Sequence, residues 1–88
     1  IDVPNAFTPG GGADGEIKVI HLGNATLKSF IIYNRWGQKV FEGTDIATGW
    51  DGNFNGKPQP MGVYVYSVEA VSPTGRRFTK QGNITLIR

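Results

Sequence analysis

Glycine and proline interrupt this chain at such short intervals that no segment sustains a helical face. Thirteen Gly and five Pro stand among 88 residues, and the runs between them are rich in β-branched and aromatic side chains. Gly and Pro are the strongest local punctuators of backbone structure, whereas β-branched and aromatic residues suit a pleated, half-buried surface. The pattern predicts an all-β protein.

The strands can be placed from alternation and turn signals. Residues 2–7 are expected to open the fold as a short strand, broken by Pro4 and closed by Thr8-Pro9. EIKVIHL (16–22) reads as a strand whose alternation slips between Val19 and Ile20, which predicts a bulge or burial on both faces. In TLKSFIIYNRW (26–36), Phe30 and Ile32 face one way, Ile31 and Tyr33 the other. NRWGQ then turns, with Asn34 bonding its own backbone and Gly37 supplying a positive φ, and KVFEG (39–43) returns. Residues 62–71 form the next strand, with Tyr64, Tyr66, Val68 and Ala70 on one face. RRFTKQGNITLIR supplies its hairpin partner and a closing strand. About seven short strands at this spacing fit an immunoglobulin-like antiparallel β-sandwich. With no Cys–Trp–Cys pin the likeness is one of architecture, in a single domain covering 1–88.

A chain this short buries only about 60–65% of the surface its unfolded form exposes. It has no Cys, so packing must stabilise it unaided, and two Trp, three Tyr and five Phe are the material at hand. The net charge of +2 reflects nine Lys and Arg against seven Asp and Glu, spread along the chain with Arg76-Arg77 the one adjacent basic pair. Nucleic-acid binding calls for a concentrated basic stripe interleaved with stacking aromatics, and is not expected. No apolar run approaches the ~20 residues of a transmembrane segment. A start at Ile1 suggests a processed product or an excised domain, and a monomer is expected.

The stretch GWDGNFNGKPQPMGVYVY (49–66) poses the sharpest chemical question. Asp51-x-Asn53-x-Asn55-Gly56 matches the first half of a calcium loop, but position twelve is Gly62 where a bidentate Glu is required. Asp51 is the one charged ligand. A turn and strand launch explains more: Trp50 plugs the sandwich edge, the Asp51 carboxylate accepts backbone N–H groups, Asn55-Gly56 makes a hairpin, and Pro58 and Pro60 stiffen the approach to Gly62. GGGADGE likewise offers only Asp14 and Glu16, too few for calcium, with no helix or Lys to hold a phosphate. No metal or cofactor is expected.

Catalysis finds little support. His21 is the sole His and sits among apolar neighbours, with no spacing that implies a nucleophile and an orienting acid. The acids are scattered over turns and strand faces. NAT (24–26) and NIT (83–85) have the form of glycosylation sequons, a pattern short enough to arise by chance.

Several separated segments, however, follow one known pattern: PNAFTP (4–9), IIYNRWGQKVFEG (31–43), WDG (50–52), NGKPQPMGVYVY (55–66) and GNITLIR (82–88). Together they resemble the gliding-motility-associated C-terminal domain, the type B sorting domain of type IX secretion substrates. The WDG and GVY pieces are also similar to immunoglobulin-like domains of flagellar hook scaffolding proteins, whereas YNRWG combined with a terminal TLIR is more specific. The resemblance implies a secretion signal at the carboxyl end of a large exported protein of a Gram-negative gliding bacterium. It implies two partners, the type IX machinery and an outer-membrane protein that holds the product at the surface. It carries family-motif positions onto Asn34, Arg35, Trp36 and Gly37; onto Trp50, Asp51 and Gly52; onto Gly62, Val63 and Tyr64; and onto the closing Ile84, Leu86 and Arg88. The family's acidic, Asn-rich loop after FTP is replaced here by GGGADGE.

Within that resemblance, Trp36 is expected to cap the core, with direct recognition of Arg35 and Trp36 as the alternative. Ile84 and Leu86 are expected to fill the core while Thr85 faces out. The closing strand could otherwise be free for edge pairing with a partner. The competing functions are a carbohydrate-binding or adhesive module, which would display a flat row of aromatic rings, and a structural spacer.

Overall fold

The structure, a computed structural model, describes residues 2–9, 16–20, 22–46 and 49–87. Expectations placed on Asp14, His21 and Arg88 fall outside the described residues. Seven strands form and no helix does among those described: β1 (Ala6–Phe7), β2 (Thr26–Tyr33), β3 (Lys39–Gly43), β4 (Asn53–Phe54), β5 (Lys57–Pro58), β6 (Gly62–Val71) and β7 (Arg77–Leu86). The fold is all-β and sandwich-like, as the punctuation predicts. A five-stranded sheet runs in the order β1-β7-β6-β2-β3, and β4 and β5 make a small hairpin of their own.

The long central strand β6 organises the main sheet. Its alternation buries Tyr64, Tyr66, Val68 and Ala70 and turns Val63 and Val65 outward. On β2 the inward residues are Leu27, Phe30 and Ile32. The odd spacing between Leu27 and Phe30 is accommodated by a register shift between Leu27 and Ser29 against β6. One extra residue restores the inward face after the shift.

The opposing layer is built from short pieces. Val3, Ile17, Val19 and Trp50 join the same core cluster as the inward residues of the main sheet. In the expected strand 16–22, the described residues form no strand. They make isolated bridges to two different partners, Ile17 to Trp50 and Ile20 to Asp2, so no continuous ladder develops. Pro4 limits the opening segment in the same way, because it has no N–H to donate. Of the two readings of the slip at Val19 and Ile20, a bulge or burial on both faces, burial on both faces fails: Ile17 and Val19 point in, whereas Ile20 is 39% exposed.

The chain ends also depart from expectation. Arg77–Leu86 is one continuous strand where a partner strand and a separate closing strand were expected. Its last residues are not free. β1 pairs with β7 in parallel, Ala6 with Thr85 and Phe7 with Leu86, and Thr85 N–H donates to Asn5 O at 2.9 Å. This is the one parallel pair among the described strands; with nearly the whole domain as its crossover, the geometry is unconstrained. Ile84 and Leu86 are fully buried, as expected, whereas Thr85, expected to face out, is half-buried between β1 and β6. Among the described residues, the stretch of β7 without a strand on its outer side is Arg77–Ile84.

Gly82 explains how β7 stays continuous. It lies opposite Tyr66, and a Cβ there would meet the Tyr66 ring at 2.8 Å. The ring covers the bare backbone, in place of a cross-strand side chain. Gly82→Ala is expected to cost about 1–3 kcal/mol through overpacking, and Trp50→Ala about 3–5 kcal/mol through cavity formation. Urea denaturation measures both. Unchanged stability in Gly82→Ala would mean that the ring moves aside freely.

Candidate recognition surface

The hairpin between β2 and β3 is held by one buried amide. Asn34 is the only buried polar residue among those described, at 8% exposure. Its Oδ1 accepts the N–H of Trp36 at 3.0 Å and of Gln38 at 2.9 Å, while Nδ2 donates to Gln38 Oε1 at 3.1 Å. Asn34 N–H donates to Gln38 O at 2.9 Å, and Gly37 N–H to Asn34 O at 3.0 Å. The loop is thus Arg35-Trp36-Gly37, with Gly37 at φ 79°. A type I turn followed by a left-handed residue is the usual form of such a three-residue loop.

The same construction recurs between β6 and β7. Ser72 N–H donates to Arg76 O at 2.8 Å, Gly75 N–H to Ser72 O at 2.9 Å, and Arg76 N–H to Ser72 Oγ at 3.0 Å. Gly75, at φ 87°, occupies the place of Gly37. Position for position, Asn34-Arg35-Trp36-Gly37-Gln38 corresponds to Ser72-Pro73-Thr74-Gly75-Arg76.

Trp50 sits at the opposite extreme from Trp36. It is 1% exposed, with its ring centroid 5.0 Å from Tyr64 and 5.6 Å from Phe7. Its indole N–H donates to Asn53 O at 2.9 Å, so burial leaves no polar atom unsatisfied. The Asp51 carboxylate accepts Asn53 N–H at 3.0 Å, and Gly52 O accepts Gln59 N–H at 2.8 Å. Asn55 and Gly56, with φ of 54° and 76°, turn the β4–β5 hairpin as expected. Tyr64 Oη donates to Pro60 O at 2.6 Å, fixing the chain just before β6.

These local structures bring two of the motif segments together. Asn34, Arg35 and Trp36 share a shallow groove with Pro60, Met61 and Val63, and Gly62 and Tyr64 also line it. Gly37 shapes the turn without lining the groove. Trp50 lies beneath, against Tyr64, and Asp51 and Gly52 do not line it either. Trp36 does not cap the core: it is 75% exposed. The tight turn carries it away from both layers, and the Arg35 guanidinium lies 4.9 Å from its ring centroid. Met61, 59% exposed, and Val63, 55% exposed, extend the apolar surface. Sequence reasoning missed Met61, reading the prolines around it as stiffeners; an unpaired Met between Pro60 and Gly62 was the available signal.

The groove has one charged side chain, Arg35. Ion pairs elsewhere join Lys39 with Glu42 at 2.9 Å, Arg77 with Glu69 at 2.9 Å, Lys80 with Asp2 at 3.6 Å and Lys18 with Glu16 at 3.8 Å. The Glu42 hydrogen bond and then its charge raise the pKa of Lys39 above the ordinary lysine value. A raised folded-state pKa contributes stability in full below the unfolded value and loses it as pH rises through the folded value. Lys39 is fully exposed, so this pair has little weight in the fold.

Asn34→Ala is expected to destabilise the domain by about 2 kcal/mol, since two turn N–H groups lose their acceptor. Asn34→Asp keeps Oδ1 and should cost less in urea denaturation. NMR titration should place the Lys39 midpoint above the ordinary lysine value, and Glu42→Gln should bring it down.

No curated protein matches the chain. The family model for the CHU_C type IX secretion signal domain matches residues 1–86. With nearly the whole chain covered and the all-β fold in place, this protein belongs to the type IX secretion signal domain family.

Proposed function

We propose that the domain acts as a folded address label, read by contact and performing no chemistry of its own. As a type IX secretion signal domain it is a C-terminal sorting signal that sends its parent across the outer membrane to the cell surface or medium of a Gram-negative bacterium. In our reading the chain is the last domain of a larger secreted protein. It engages the type IX machinery first and an outer-membrane anchoring partner afterwards. The observation that carries this reading is the family match across residues 1–86.

The structure supports a binding role in a second way. Five of the six described side-chain carboxylates are seen engaged in the fold: Asp2, Glu16, Glu42 and Glu69 in ion pairs, and Asp51 in a turn. A carbohydrate-binding face would set aromatic rings in a flat row. Trp36 instead stands at the hairpin near the Gly62 end of β6, while Phe78 pairs with Ala70 near the other end. A spacer, finally, would work equally well in the middle of a protein.

A periplasm-directed fluorescent reporter ending in residues 1–88 tests the reading in a strain whose type IX machinery exports native substrates. The intact domain should deliver the reporter to the surface or medium, and Trp50→Ala, which opens the core, should retain it. Retention of the intact fusion, even with preceding parent residues added, would refute the sorting role. Equal export with the domain moved to mid-chain would refute a C-terminal label.

A further inference from the structure

We propose that the groove between the Asn34–Gln38 turn and Met61 is the docking face of the domain. Its occupant is an extended segment of a partner protein that lays an apolar side chain between Trp36 and Met61 and brings an Asp or Glu carboxylate to Arg35. This deepens the sorting role and rests on it.

The first ground is that the fold does not need Trp36. The Ser72–Arg76 turn closes with the same two backbone hydrogen bonds, a side-chain acceptor for the N–H of its last residue and a left-handed Gly, yet carries Thr74, whose hydroxyl bonds Ser72 Oγ, where the first turn carries Trp36. An indole exposed to 75% gains little from the domain's own packing. Leaving so large an apolar ring in water costs the free protein what a partner recovers by covering it.

The second ground is preorganisation. Asn34 anchors the turn from a buried position and holds the backbone N–H of Trp36 itself. Across the groove, the Tyr64 hydroxyl ties down the Pro60 carbonyl, which fixes the backbone beside Met61. Both walls are ordered before a partner arrives, so association loses less conformational entropy. Trp and Arg, both of which line this groove, are among the residue types that carry most binding energy in protein interfaces.

The third ground is charge. Arg35 is the one charged residue lining the groove, and it makes no ion pair among the described residues. Stacked on Trp36, its guanidinium keeps its planar edge for a bidentate carboxylate. A single cation is too little to hold the domain on an anionic lipid surface, which takes a cluster of basic residues. One apolar pocket beside one cation suits a peptide segment.

The reporter fusion described above, carrying Trp36→Thr, Arg35→Glu or Arg35→Lys, tests the proposal, with Thr74→Ala as control. Trp36→Thr installs the residue that the twin turn tolerates. Export should fall about tenfold or more with Trp36→Thr and with Arg35→Glu, and less with Arg35→Lys. Thr74→Ala should export normally, and thermal melting of the purified variants should match the parent domain. Normal export of Trp36→Thr overturns the proposal, and export indifferent to the sign of residue 35 overturns the acidic occupant. A concentration-dependent dimer that is abolished by Trp36→Thr in sedimentation would assign the face to a second copy instead. Failure of the unmodified fusion to leave the cell would overturn the sorting role itself, and this inference with it.

Discussion

Burial of Trp50 is the interaction on which the rest of the structure depends. The opposing layer is too fragmented to hold itself together by hydrogen bonding, since its pieces meet through isolated bridges. Trp50 gives those pieces a common anchor. Its ring meets Phe7 of β1 and Tyr64 of β6, its backbone bridges Ile17, and its indole N–H ties down Asn53 at the start of β4. A chain without disulfides and with few residues has to concentrate its packing in such large side chains. The edge-on contacts of Phe30 with Phe41 and Tyr66 serve the same purpose between strands of the main sheet.

That arrangement also decides what is left for the surface. With Trp50 and Tyr64 on the inward side of the β6 start, alternation forces Val63 outward, beside Met61. The β2–β3 turn closes over the same end. Core packing, strand period and turn chemistry thus converge on one exposed apolar groove with a single guanidinium in its lining. The arrangement suits a domain whose task is to be held. Rigid walls present the same contour to every reader, and a chain without Cys needs no oxidation chemistry to fold.

Much of the fold was legible because its determinants are local. Gly, Pro and Asn dictate backbone conformation within a few residues, so the Asn34–Gln38 turn, the Asn55-Gly56 hairpin and the bounds of β3 and β6 could be read directly. Alternation over ten residues likewise placed the inward face of β6. Where an outcome depended on a remote partner, reading failed. Residues 16–22 have strand composition but meet two separate partners, and that is a property of the assembled layers. Trp36 carries the same side chain as Trp50 and the opposite exposure, because a tight turn at a sheet's end leaves no layer for it to enter.

The sequence by itself determined the all-β class, the turns and the inward stripe, since period and turn chemistry act over short distances and survive any assembly. It also carried enough of a recurring pattern to mark the sorting family. Only the tertiary structure decided that the closing strand is flanked on both sides near its end, that one pair runs parallel, and that Arg35, Trp36 and Met61 face one groove. Such facts concern which segments become neighbours, and neighbours far apart in the chain are chosen by the packing of the whole core.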